Sequence, residues 1–304
     1  MAKSKDYTIK DLVLVSIEKI SKSFDGNLIL GDVNLEIKDV VRLDDESIKQ
    51  AQVVSILGPS GVGKTTLFNM LGGLMEPDGG VILIDNPATP PLNGTIREDL
   101  IPTHRGLVGV VYQDYRLLPF QTVYEALESG LEYSRGKSNY ADGRKKIDEY
   151  LNWFGLMEHK NKFPIQLSGG QQQRVAISQQ LLRNPQLLLM DEPFSGLDPE
   201  TKDEVVNMIS SLAQKDEFLT IILISHDIVS SLRVSDTIYM MGKNRNEKGE
   251  VIPGASIHHD KTIDLKELGL AWSYENPNDL ETRSKLAEIA VQISNEFHYL
   301  SGKN

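Results

Sequence analysis

The residues Gly58, Pro59, Ser60, Gly61, Val62, Gly63, Lys64, Thr65 and Thr66 carry the first chemistry legible in the sequence. Through Thr65 they fit G-x-x-x-x-G-K-[ST], the Walker A pattern, in which glycines let successive backbone N–H groups approach phosphate oxygens closely. Lys64 is then expected to reach β- and γ-phosphates and the Thr65 hydroxyl to ligate Mg²⁺. A glycine-rich turn holding an ordinary lysine would look similar, and the flanks argue against it. Residues 53–57 read as a strand entering the loop, and the stretch from Lys64 onward reads as a helix whose N-terminal end attracts anions. Further along, Leu187, Leu188, Leu189 and Met190 lead into Asp191 and Glu192. A buried strand there would deliver two adjacent carboxylates at its C-terminal end, where open α/β sheets bind ligands. Asp191 can hold Mg²⁺ through water, and Glu192 can accept a proton from an attacking water. An apolar strand ending in Asp-Glu is common; the phosphate loop upstream gives this one its meaning.

Short apolar runs bounded by turn residues must position these groups. Residues 13–17, 53–57, 81–84, 108–112, 187–190 and 220–224 read as buried strands of a largely parallel α/β sheet. From residue 117 to 182 the pattern turns helical, with Val123, Leu127 and Leu131 at one spacing and Ile147, Leu151 and Phe154 at another. A helical subdomain inserted in an α/β core is expected. Three stretches look like additions: an acidic one at 39–46, a proline-rich one at 86–105, and the tail after Gly242. The tail is expected to open with a polar turn at 243–250 and to end in a helix over about 279–297. Leu280, Leu286, Ile289, Ile293 and Phe297 fall near one face of that helix, which is expected to pack on its own domain.

The chain has 304 residues, with 32 Lys+Arg against 43 Asp+Glu, a net charge of −11, and no cysteine. Disulfide and thiolate chemistry are excluded. The N-terminal stretch has no apolar run suited to a signal peptide, and no run approaches the length of a membrane span. A cytoplasmic location is expected, with any membrane role exercised through a partner. The acidic balance argues against a nucleic-acid partner. His258, His259 and Asp260 make a poor shared metal site, because neighbours on an extended segment point to opposite faces, and a solvated turn is expected there. Trp153 and Trp272 are expected to be packing residues.

Between the two carboxylate and phosphate elements stands Leu167-Ser-Gly-Gly-Gln-Gln-Gln-Arg174, and on it the chain resembles the ATPase subunits of ABC transporters, whose signature is LSGGQ. Further elements occur in that family's order. Gln113 resembles the Q-loop glutamine, Ser195-Gly-Leu-Asp198 the D-loop, His226 the switch histidine, and Phe24 the aromatic that stacks on adenine. The resemblance spans about residues 8–240. It implies an ABC ATPase domain over residues 1–242, a P-loop core with a helical signature subdomain at about 114–185 and an N-terminal antiparallel β region, followed by a C-terminal extension over 243–304. It implies ATP and Mg²⁺ as cofactors, with Thr65, Gln113 and Asp191 toward the metal. Glu192 is the implied general base, aided by Lys64, Gln113 and His226. Ser168, Gly169, Gly170 and Gln171 are implied to contact nucleotide held by a second ATPase subunit, a homodimer in the simplest case.

The implied assembly sits peripherally on the cytoplasmic face of the membrane against an integral membrane permease, with an extracytoplasmic solute-binding protein reached through it. Residues 112–119 are similar to the importer subgroup for nitrate, sulfonate and taurine; ATPases of lipid or macrolide exporters are the alternative. A soluble ABC-type ATPase acting on nucleic acid or ribosomes is a further alternative. It is disfavoured by the single cassette and by the acidic charge. Two departures from the family spacing coincide with residues 40–50 and 87–105, both expected to be loop-like insertions.

Overall fold

A computed structural model describes residues 7–42, 51–85, 100–104, 106–134, 140–215, 219–271 and 279–302. Among them the strands are β1 (Tyr7–Phe24), β2 (Asn27–Arg42), β3 (Gln52–Leu57), β4 (Gly79–Asp85), β5 (Leu100–Pro102), β6 (Gly109–Val111), β7 (Leu187–Asp191), β8 (Thr220–Ser225), β9 (Thr237–Arg245) and β10 (Val251–Asp264). The helices are α1 (Lys64–Leu71), α2 (Val123–Ser134), α3 (Tyr140–Trp153), α4 (Gly169–Leu181), α5 (Pro199–Ala213), α6 (Ile228–Val234) and α7 (Leu280–Leu300). The strands form one sheet in the order β5-β4-β1-β2-β10-β9-β3-β8-β7-β6.

The sheet has two halves of different direction. β6, β7, β8, β3 and β9 run parallel. Helices cover both faces there, which is why every residue of β3, β7 and β8 is buried and why these runs read as continuously apolar. The other half is antiparallel: β1 pairs with β2 and β4, and β4 with β5. The runs at 13–17 and 81–84 therefore belong to antiparallel strands, the N-terminal antiparallel region that the family resemblance implies, and not to the parallel set in which their apolar character placed them. The cause is connectivity. β1 returns directly as β2 through a two-residue turn at Asp25 (φ 48°) and Gly26 (φ 78°), and a tight hairpin can join only antiparallel strands.

α2, α3 and α4 are inserted between β6 and β7. Val123, Leu127, Leu131, Ile147, Leu151 and Phe154 are buried in one cluster that also holds residues of α4 and α5. Trp153 stacks at a tilt on Phe154, and the Lys215 ammonium lies 3.6 Å from its ring centroid. Trp272 lies outside the described residues.

Both insertions contain strand. Residues Val40, Val41 and Arg42 pair with Ile9, Thr8 and Tyr7, lengthening the β1–β2 ribbon; residues 43–50 lie outside the described set. Leu100, Ile101 and Pro102 form β5 against β4, with Pro102 tolerated because β5 is an edge; residues 86–99 and 105 are not described.

The tail re-enters the sheet. β9 runs through Arg245, a turn follows at 246–249, and β10 then pairs with β9 on one side and at Ala255–Leu30 with β2 on the other. His258, His259 and Asp260 are thus in a strand and not a solvated turn. The antiparallel pairing with β9 extends past Met240–His258, and His259 Nε2 meets the Asn34 carbonyl at 2.9 Å. α7 packs on α6 and β9 through buried Ile293 and Leu300 and partly buried Leu286, Ile289 and Phe297. Leu280, expected on the same face, is 79% exposed, since it occupies the first turn, before the helix reaches the body of the protein.

Candidate nucleotide site

β3 emerges at the C-terminal edge of the parallel strands and turns at Gly58 into the phosphate loop. A Cβ at Gly58 would sit 2.3 Å from the Met241 carbonyl oxygen of neighbouring β9. Gly63 has φ 99°, and a Cβ there would lie 2.8 and 2.9 Å from the Leu30 and Ile29 side chains of β2. Only glycine meets both demands, so the spacing of the motif follows from how tightly the loop is clasped. Gly63 caps α1 without a side-chain bond, which leaves the first N–H groups of the helix free for an anion.

Lys64 is 6% exposed. Its Nζ donates to the Gly58 and Pro59 carbonyls at 2.9 and 3.1 Å and lies 3.4 Å from Glu192 Oε1. Burial pulls this ammonium below the usual lysine range, opposed by the Glu192 carboxylate. Asp191 and Glu192 stand where β7 ends, paired to β8 through Asp191–Ile224. The Glu192 N–H continues that pairing to the Ile224 carbonyl at 2.7 Å, while its own φ of 49° turns the chain toward Pro193. A non-glycine residue in this region is uncommon and costs about 1 kcal/mol, a price accepted where a side chain must be aimed.

Glu192 is aimed at β8. Its Oε2 receives His226 Nδ1 at 2.7 Å, the His226 backbone N–H at 3.2 Å and the Ser225 hydroxyl at 3.3 Å. Because an ionised carboxylate only accepts, His226 carries a proton on Nδ1. Oε1 is left as the open oxygen. Ser225 escaped the sequence reading; its signal was its place just before His226 at a strand end.

Asp191 is pushed up to about 6, first by burial and then by the neighbouring Glu192 charge; the Thr65 hydroxyl bonded to it, Lys64 and Arg116 act in the opposite sense. Its Oδ1 is buried with no hydrogen-bond partner. A hydroxyl beside an unpartnered buried carboxylate oxygen suits a hard divalent cation, so these residues fit Mg²⁺. Gln113 leaves β6 nearby, and its amide nitrogen donates to Ser195 Oγ at 3.2 Å, tying the residues after β6 to those after β7. Phe24 ends β1 with 42% exposure, and Lys22 lies 5.7 Å from its ring centroid. The strand pairing sets Lys22 opposite Leu30, the residue packed on Gly63, so the aromatic stands on the hairpin that flanks the phosphate loop.

Ser168 and Gln171 form a capping box on α4, whose first turn includes Gly169 and Gly170. Gln171 bonds His159 and Ser168, and neither partner is in the phosphate loop. Nothing lies within 4 Å of a Cβ at Gly169, so that backbone is open. The fold thus gathers Lys64, Thr65, Asp191, Glu192 and His226 at one edge, and the side-chain hydrogen bonds of Ser168 and Gln171 among the described residues go to each other and to His159, not to that edge. No helix among the described residues is long and apolar enough to cross a membrane.

A family model described as ABC transporter matches residues 43–195. The spermidine/putrescine import ATP-binding protein PotA of Thermotoga maritima is 34% identical over 292 residues, covering 93% of this chain and 68% of that protein. The arginine transport ATP-binding protein ArtM of Bacillus subtilis is 33% identical over 75% of this chain and 87% of its own length. Other curated relatives are longer, and the chain spans 58% and 55% of two of them. Among solved structures, the dimeric post-hydrolysis state of the cassette MJ0796 bound to ADP and Pi shares 29% identity at a TM-score of 0.58, over 83% of this chain and 99% of that one. With the phosphate loop, the paired carboxylates and the signature helix in one α/β cassette, the chain belongs to the ABC transporter family and has the fold of its ATPase cassettes.

Proposed function

We infer that the chain is the ATP-hydrolysing subunit of an ABC importer, acting as a dimer against a separate membrane permease. The observation that carries this is the split site. Lys64, Asp191 and Glu192 converge in one chain, while Ser168 and Gln171 bond each other and His159 and Gly169 is open to a ligand from outside. A second copy completes each site, and MJ0796, described as dimeric with ADP and Pi, supports that arrangement. Import is favoured because the relatives are named for spermidine/putrescine import and arginine transport. The narrower nitrate, sulfonate and taurine reading rests on residues 112–119 and draws no support from those names. The cassette is taken over residues 1–242, with 243–304 as an extension continuous with it, since β9 runs on to Arg245 and β10 joins the same sheet; it lies on the cytoplasmic face, and a solute-binding protein acts through the permease.

The roles follow from the contacts. Gly58, Pro59, Ser60, Gly61, Val62, Gly63 and Thr66 shape the phosphate cradle, and Phe24 offers its face to adenine. Thr65, Asp191 and Gln113 would hold Mg²⁺, which would supply charge neutralisation at the phosphates. Lys64 has three contacts to exchange for phosphate oxygens: two carbonyls and Glu192 Oε1. When it does so, Oε1 is the oxygen left to take a proton from water, since Oε2 is held by three donors. His226, with Nδ1 pledged to Glu192, reaches a phosphate oxygen through Nε2 only as the doubly protonated ring. Sedimentation tests the reading: ATP with Mg²⁺ should convert monomer to dimer, and Ser168→Arg should block dimer formation and turnover while nucleotide still binds. A Ser168→Arg chain that hydrolyses ATP at the parent rate would refute the shared site.

A further inference from the structure

The signature glutamine is held by a histidine outside the motif. Gln171 is the third residue of α4. Its Oε1 accepts from the Ser168 N–H at 3.0 Å, and its own N–H donates to Ser168 Oγ at 3.3 Å. With Oε1 committed, the amide nitrogen faces the other way and meets His159 Nε2 at 3.1 Å. An amide NH₂ only donates, so His159 Nε2 must be the acceptor, and the ring is neutral with its proton on Nδ1. Nδ1 is buried and has no hydrogen-bond partner. The turn bearing His159, Met157–His159, is pinned from both sides. The His159 N–H bonds to Leu156 O at 2.8 Å, while α2 reaches over through Tyr124 N–H to Lys160 O and Val123 N–H to Lys162 O, both 2.9 Å.

We propose that His159 is a positioning residue for the signature loop: the neutral ring holds the Gln171 side chain in place, and a proton on the ring releases it, lowering turnover at the site this loop completes. A proton on Nε2 sets N–H against N–H. Turning the amide over would give the ring an acceptor, but only by taking the oxygen from the Ser168 N–H and putting NH₂ there instead. Either way the box loses one bond of the α4 cap, and the backbone offered to nucleotide loses its order. The charged groups on the segments around the ring are Glu158, Lys160 and Lys162 on its own turn and connection, Glu125 in the first turn of α2, where that helix bonds the connection, and Arg174 on α4. Arg174 is engaged by Glu204 at 2.5 Å, Glu125 by Thr122, and the last turn of α3, residues 150–153, carries no charge. Gln171 is thus the group that reads the protonation of His159.

The proposal rests on the signature acting at a shared ATP site, so it is tested with and without turnover. His159→Gln places an amide oxygen where Nε2 stands and cannot titrate; His159→Ala removes the acceptor at every pH. Steady-state hydrolysis by the full chain, followed from pH 5.5 to 8.5, should give His159→Gln a rate within twofold of the parent at pH 8.5 and roughly five- to tenfold above it at pH 5.5. His159→Ala should be roughly five- to tenfold slower than the parent at pH 8.5, with the deficit closing at acid pH. Any pH response of the phosphate edge is common to all three proteins and cancels in the ratios. In the nucleotide-free chain, the Gln171 side-chain amide resonance, assigned by its loss in Gln171→Met, should move between pH 8.5 and 5.5 and stay still in His159→Gln. A parent without turnover would sink the functional reading alone. Superimposed pH profiles for parent and His159→Gln, or a Gln171 resonance indifferent to pH, would overturn the proposal.

Discussion

Replacing Glu192 by glutamine isolates the proton-accepting role from everything else the residue does. The carboxamide oxygen can take the Oε2 position, where it still accepts from the His226 ring, the His226 N–H and the Ser225 hydroxyl, so the geometry of the edge is kept. The amide nitrogen then takes the Oε1 position, 3.4 Å from the Lys64 ammonium in the parent, where two donors now face each other. That contact costs on the order of 1–2 kcal/mol of fold stability. Lys64 also loses the charge that opposes the effect of burial on it, so its ammonium is held less firmly by its own chain and is at least as available to phosphate. ATP binding, read by displacement of a fluorescent nucleotide, should stay within about threefold of the parent. Loss of a general base lowers turnover by about 10²–10⁴, a barrier increase of roughly 3–5 kcal/mol. Phosphate release measured beside the binding assay separates the two effects. A variant that hydrolyses ATP within a few fold of the parent removes Glu192 as the base. One that loses nucleotide binding together with turnover makes Glu192 a binding residue instead.

Gly63→Ala introduces a Cβ at φ 99° against Leu30 and Ile29, so it should destabilise the fold by about 1–3 kcal/mol and weaken ATP binding, measured by thermal unfolding with and without nucleotide. Leu300→Ala empties a fully buried position between α7 and the sheet and should cost about 2–5 kcal/mol in denaturant unfolding, whereas Leu280→Ala, at 79% exposure, should cost under about 0.5 kcal/mol. Asp236 is fully buried at the start of β9, receives the Val53 N–H at 2.7 Å, and is pushed up to about 7, burial being the main cause. A folded value above the unfolded one means the native state holds the extra proton. This contribution is therefore complete below about pH 4 and is lost as pH rises toward 7, by about 4 kcal/mol at most. In Asp236→Asn, chemical denaturation at pH 4.5 and 7.5 should show that decline removed; an unchanged slope would place the buried proton elsewhere.

What could be read from the sequence was whatever a contiguous stretch of backbone encodes. Gly58–Thr65 is one turn and a helix start, and Ser168 to Gln171 is one helix cap; in each, the residue types are dictated by neighbours within a few positions. The fully apolar strands were legible for the same reason, because burial on both faces leaves a continuous run. β10 was not, since its exposed and half-buried residues form a strand only because β9 and β2 flank it. Strand direction at residues 13–17 and 81–84 was not in the apolar pattern and came only with the family resemblance, as it depends on a hairpin and a long-range partner and not on composition. Tertiary structure alone brought Ser225 and His226 onto Glu192, set Met241 against Gly58, and placed His159 on Gln171. Local patterns thus determined what chemistry the chain carries. The packing of segments far apart in sequence decided which oxygen of Glu192 is open and which residue holds the signature in place, because those are distances between atoms that no spacing along the chain specifies.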